Sequence, residues 1–159
     1  MNRIIGEQYG LFRLYQRLRD QLLASLTDTD LAFTPGGDNP PLGRLCVEIG
    51  ETERAYVDSF VNFSQSFDYR HADRSLESSV AGLRAWYEQL DAELYAAVAA
   101  LSDEDVASRR IDRGHGFMVP ADVQLHIYQE ALIIFYGKAT VYLKLLDKPT
   151  SEQWQHWIG

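Results

Sequence analysis

His126 and Glu130 stand four residues apart, so on a helix an imidazole and a carboxylate share one face. With Glu48 they make one nitrogen donor and two carboxylates, a set that a divalent zinc, nickel or manganese ion accepts. The same spacing serves equally well for a hydrogen bond along a helix surface, worth about 0.2–0.5 kcal/mol. Glu48, Glu51 and Glu53 form an acidic cluster, in which Glu51 is expected to face water and Glu53 to pair with a base. His115 sits between Gly114 and Gly116 on a connector, where loops often carry function, although a lone loop histidine is ordinarily a solvated residue. His71 and His156 read as surface positions. Cys46 is the single cysteine, which excludes an internal disulfide framework and a paired-cysteine metal or redox site. One turn from Ile49, it reads as a small core residue. No Ser-His-Asp or Cys-His spacing is present. The turns Pro35-Gly36-Gly37 and Gly114-His115-Gly116 lack the strand-to-helix setting and the lysine of a phosphate-cradling loop.

The elements that must position these residues are helices. Ile5, Tyr9, Phe12, Tyr15, Leu18, Leu22 and Leu26 recur at steps of three or four, which predicts an amphipathic helix over 3–26. Arg13, Arg17, Arg19 and Asp20 fall largely off that stripe. Gly6 and Gly10 within it imply either frayed first turns or a closely packed backbone. Thr27-Asp28-Thr29-Asp30 can cap a short turn, and Pro35-Gly36-Gly37-Asp38 is turn chemistry. Asn39 as cap and Pro41 in the first turn start a second helix over 41–63. Its buried stripe is Leu42, Leu45, Ile49, Tyr56, Phe60 and Phe63. Ser75 caps a third helix over 76–100, with Leu76, Val80, Leu83, Tyr87, Leu90, Leu94 and Val98 inward. A connector over 102–119 holds a small hairpin around Gly114-His115-Gly116. The last long helix, 120–146, is apolar on nearly all sides from Ala131 to Phe135 and is expected to be buried all round. Trp154 and Trp157 mark the tail.

With 159 residues there is room for one domain, 1–159. Hydrophobic residues at 46% and charged residues at 24% exclude a disordered chain. The 23 acidic against 15 basic residues leave a net charge of -8, which argues against nucleic-acid binding, where a basic stripe is the rule. The longest apolar run, residues 131–136, is far short of the ~20 needed to cross a bilayer. No continuous apolar signal core opens the chain, so a cytoplasmic protein without membrane partners is expected. Four long helices with long connectors predict an all-α, up-down four-helix bundle. The apolar last helix and the tryptophan tail suggest further burial across a homodimer.

Three stretches carry a resemblance. Asn39-Pro40-Pro41-Leu42-Gly43-Arg44-Leu45-Cys46-Val47-Glu48-Ile49-Gly50-Glu51-Thr52-Glu53-Arg54 resembles the start of the second helix in the DinB/YfiT-like superfamily. Phe135-Tyr136-Gly137-Lys138-Ala139-Thr140-Val141-Tyr142-Leu143-Lys144-Leu145-Leu146-Asp147-Lys148-Pro149 is similar to the family's last helix, and the close at Trp154–Gly159 is similar to its end. The resemblance implies a four-helix bundle holding a divalent metal on three histidines, one from the second helix and two from the last. Some such proteins act as thiol-dependent S-transferases or hydrolases. Here the matching positions are Glu48, Ala131 and Phe135. An alanine and a phenylalanine cannot ligate a metal, so the resemblance implies a degenerate site with Phe135 filling the ion's space. It also points Glu48 inward, where its carboxylate would need a partner among Lys138, Arg44, Tyr142 and His126. The expectation is a DinB-like protein that binds a small ligand or acts in stress response, with no resident cofactor. Phe135, Ala131, Tyr56 and Tyr142 would line its pocket. The competing expectation is a divalent-metal-dependent transferase or hydrolase with a rearranged Glu48, His126 and Glu130 set.

Overall fold

The structure, a computed structural model, describes residues 1–159. A π-helical turn at Ile4–Gln8 runs into α1 (Tyr9–Ser25), followed by α2 (Leu42–Asn62), α3 (Val80–Ala99), the short α4 (Asp103–Ser108), β1 (Ile111–Asp112), β2 (Met118–Val119), α5 (Ala121–Leu145) and α6 (Glu152–Trp157). The chain folds as the expected all-α four-helix bundle, in which α1, α2, α3 and α5 enclose one core. α2 lies at its centre, packed chiefly on α3 and α5. No helix is long and apolar enough to cross a membrane.

The apolar stripes explain this packing. Phe12, Leu18, Leu22, Leu45, Ile49, Phe60, Leu83, Leu90, Leu94, Leu125 and Leu132 are all buried in a single cluster. α2 passes close to its neighbours at two glycines. A Cβ on Gly43 would stand 1.8 Å from the backbone carbonyl oxygen of Glu77, and one on Gly50 would stand 2.3 Å from the Trp86 ring. Gly6 and Gly10 have nothing within 4 Å of a built Cβ, so no neighbouring backbone packs there. Instead the first turn widens to a π-helix. Asn2 ties it down by donating to the carbonyls of Val98 (2.7 Å) and Leu101 (2.9 Å).

The ends of the helices follow local chemistry. Thr27 and Asp30 form the expected capping box, on a 3-10 turn at Asp28–Ala32. Ser79, not Ser75, caps α3 by accepting from the Gly82 amide. Asp73 takes the Ser75 amide and nucleates a separate 3-10 turn over Arg74–Ser78. Pro41, not Asn39, precedes α2, because the Asn39 side chain is spent on the Gly36 carbonyl. The hairpin forms as expected, with Ile111 opposite Val119. Before it stands α4, a helix without an apolar stripe, held by a Ser102–Asp105 capping box. Trp154 anchors α6 by donating to Thr140 Oγ1 at 2.9 Å.

Three expectations about burial change. Arg19 lies wholly inside the core, because seven residues from Phe12 it falls on the inward face of α1. Glu51 is buried rather than solvated, drawn in by Arg44. The all-round apolar stretch of α5 is not enclosed. Leu132 and Phe135 are buried, whereas Ile134, Val141 and Leu145 are 61%, 51% and 58% exposed.

Candidate functional site

α2 and α5 lie side by side, and a groove runs between them. One part, a cavity of about 180 Å³, is lined by Glu48, Ile49, Thr52, Ala131, Phe135 and Lys138, among others. Next to it, a cavity of about 250 Å³ is lined by Pro40, Leu45, Glu48, Lys138, Val141 and Tyr142. A third, of about 240 Å³, lies between Arg44, Glu48, Glu51, Thr52, Phe67 and Arg70. Glu48 borders all three, so they adjoin at that residue and together make up the groove. Its floor is apolar and its rim carries two carboxylates, two guanidinium groups and an ammonium group.

Helical spacing sets this up. Glu48 follows Arg44 by one turn and receives its Nε at 3.4 Å. Of the four partners considered for Glu48, Arg44 is therefore the one that pairs. Glu48 does not turn into the core; its side chain is 48% exposed. Ala131 and Phe135 are likewise one turn apart on α5. Phe135 is 4% exposed and packs at 5.4 Å on Tyr136, so its ring closes the base of the groove. Tyr142 donates to the Pro40 carbonyl at 2.7 Å, tying the far end of α5 to the loop before α2. Tyr56 lies deeper, stacked on Tyr128 at 4.6 Å and 2% exposed, and borders none of these cavities.

Arg44 holds the acidic wall together. It donates to Glu51 Oε2 at 2.7 Å, and the His71 amide donates to Glu51 Oε1 at 3.0 Å. Burial alone would raise the Glu51 pKa, but these bonds outweigh it and hold the carboxyl below its usual range. Arg44 is correspondingly held above its usual range, chiefly by Glu51. His71 is half-buried, its ring 4.5 Å from Trp86, rather than a free surface histidine. His126 and Glu130 face solvent, 3.5 Å apart, with side chains 65% and 59% exposed. They pair with each other along α5 and border none of the groove cavities. No cluster of three or more His, Cys, Asp or Glu side chains is arranged to hold a metal ion. His115 sits exposed at the hairpin tip with φ 53°. Cys46 is fully buried, with its thiol pushed up to about 12 by burial, as suits a core residue.

A second polar assembly occupies the bundle interior, where Glu53 finds the base expected for it. Arg19 is sandwiched between Glu53 of α2 and Asp91 of α3, and its guanidinium lies 4.3 Å over the Tyr87 ring. Gln16 donates to both carboxylates. Burial opposes the charge on Arg19, but Glu53 and its neighbours more than restore it. Burial, and then Glu53, push the Asp91 carboxyl up to about 8, against the pull of Arg19. The signal for this assembly was periodic. Glu53 falls between Ile49, Tyr56 and Phe60, and Asp91 between Tyr87, Leu90 and Leu94, so each charge occupies a core register.

An all-α four-helix bundle with a groove between its second and last long helices defines the class of protein. The DinB superfamily model matches residues 12–132, and the chain belongs to that superfamily. The crystal structure of a DinB-like protein from Bacillus subtilis is similar in fold, with a TM-score of 0.67 at 14% identity over 86% of this chain and 89% of that one. None of the curated proteins matches this chain.

Proposed function

We propose that this DinB-superfamily protein binds a small ligand in the α2–α5 groove, at a metal site that has degenerated, and works as a homodimer. The observation that carries this reading is the meeting of Glu48, Ala131 and Phe135 around one cavity. These are the positions at which the family resemblance implies three histidines. In this chain they supply one carboxylate, one methyl group and one phenyl ring, which is not a donor set for a divalent cation. The groove instead offers an apolar floor with Lys138, Arg44 and Arg70 on its rim, which suits a small amphipathic molecule with an anionic end. A role in stress response belongs to the same reading.

The competing reading is a metal-dependent transferase or hydrolase using Glu48, His126 and Glu130. Metal analysis of protein purified without a chelating tag separates the two. Less than a tenth of an equivalent, with no thermal shift on adding zinc, nickel or manganese, is expected. A stoichiometric ion that is lost in His126→Ala overturns the proposal. As a positive control, the triple variant Glu48→His, Ala131→His, Phe135→His should take up one equivalent of zinc. For the ligand, a thermal-shift screen of small carboxylates and phosphates should find binders whose effect disappears in Ala131→Trp, which fills the groove.

A further inference from the structure

A cavity of about 450 Å³ lies away from the groove, between α1 and α3. It shares no lining residue with the groove cavities. Tyr9, Gln16 and Asp91 form its inner wall, against the buried Arg19–Glu53 pair, and Arg13, Asp20 and Tyr95 are on its flanks. Three features of this wall are unfinished. The Tyr9 hydroxyl has no hydrogen-bond partner although the residue is 2% exposed, and an orphaned buried hydroxyl is costly. Both bonds to Asp91, from Gln16 and from Arg19, go to Oδ1, which leaves Oδ2 free. Finally, one guanidinium serves two carboxylates, since Arg19 also pairs with Glu53. The flanking charges do not make up the difference. Arg13 and Arg17 are matched in number by Asp20 and Glu88, so Asp91, once ionised, is the excess negative charge.

The geometry points to a binding site in the α1–α3 cavity for a small primary amine with an apolar body, its ammonium group seated on the open oxygen of Asp91 beside Tyr9. An ammonium group brings three donors and one positive charge. It fills the open side of Asp91 and balances the second carboxylate. Tyr9 and Tyr95 meet edge to face at 5.2 Å, and their rings offer the apolar body a wall and the cation a π face. The cavity volume accommodates a body of one aromatic ring.

A proton is coupled to this event. Asp91 faces Arg19, Gln16, Asp20 and Tyr9 of α1, Glu53 of α2, and Tyr128 and Tyr136 of α5, besides Glu88 and Tyr95 on its own helix. In that company its carboxyl is pushed up to about 8, so near pH 7 much of it is protonated. An arriving ammonium group favours the carboxylate and expels the proton. Affinity then rises with pH, by about tenfold between pH 7 and pH 9.

Titration calorimetry of the full chain with phenethylamine tests this. One site is expected, with a proton released to buffer at pH 7, read from buffers of different ionisation heat, and with tighter binding at pH 9. The neutral 2-phenylethanol should bind at least tenfold more weakly. Asp91→Asn should weaken the amine at least tenfold and abolish the proton release, and Tyr95→Ala should weaken it several-fold. If Asp91→Asn does not fold, the proton release and the partly exposed Tyr95 decide. No heat at millimolar amine, equal binding of the alcohol, or binding without proton release overturns the site.

Discussion

Arg19 shows how much a single residue can carry. It is fully buried with Glu53, and Asp91 flanks it on the other side. Removing one member of a buried pair strands the other, at a cost of about 3–5 kcal/mol. Arg19→Met should therefore lose about that much in urea unfolding, a large part of a domain's total stability of ~5–15 kcal/mol. Arg19→Met with Glu53→Leu should recover most of it, because the stranded charge is gone. Asp91 makes a prediction about pH. Its carboxyl is pushed up to about 8, so between pH 4 and pH 8 the folded protein holds a proton that the unfolded chain releases. Stability must then fall as pH rises through that window and level off above it, with a slope below the ceiling of ~1.4 kcal/mol per pH unit for one whole proton. Urea midpoints between pH 5 and pH 9 should show the fall, and Asp91→Asn should flatten it. At this scale the sequence was only partly legible. Ala131 and Phe135 could be placed by resemblance and do meet in one groove with Glu48. A base beside Glu53 is expected from the sequence, but the interior place of the pair and its partners Arg19 and Asp91 are not, because charge reads as a sign of solvent although all three stand in the same register as the apolar residues beside them.

Whole elements were read more easily, because a stripe of seven apolar residues outweighs any one exception. α1, α2, α3 and α5 all fall where the 3.6-residue period places them. Their ends were harder, because caps are decided by single hydrogen bonds. Ser75 and Ser79 are equally good caps on paper, and α3 starts at the second only because Asp73 captures the Ser75 amide first. α4 escaped notice because six residues hold no period. Glycines give the sharpest test at this level. In α2, Gly43→Ala drives a methyl group into the backbone of Glu77, which cannot swing away as a side chain can. A loss of about 2–3 kcal/mol in urea unfolding is expected, at the upper end for overpacking. In α1, Gly10→Ala meets nothing and removes only the helix penalty of glycine, so it should gain about 0.5–1 kcal/mol. Opposite signs for the same change in two helices would confirm that α2, and not α1, is the closely approached strut of the bundle.

At the scale of the whole molecule, α5 sets the remaining problem. Its apolar residues exceed what one core can absorb, and Ile134, Val141 and Leu145 stay more than half exposed along one side. Gly137, between them in sequence, leaves open space where a side chain would stand. Ile134 and Val141 also border the α2–α5 groove, so a copy of the chain docking on this face would roof the groove as well as cover the stripe. Two-fold pairing places each of these residues in the interface twice. Burying an isoleucine side chain is worth up to about 1.5–3 kcal/mol, so Ile134→Lys removes two such contributions and sets two ammonium groups near the axis. Sedimentation at micromolar concentration should show a dimer for the natural chain and a monomer for Ile134→Lys, with the helical circular dichroism unchanged. A natural chain that sediments as a monomer would separate the two halves of the proposed function, because the groove would then have to hold its ligand open to solvent. Its apolar floor around Phe135 would in that case bind weakly and without the rigidity that a second copy confers.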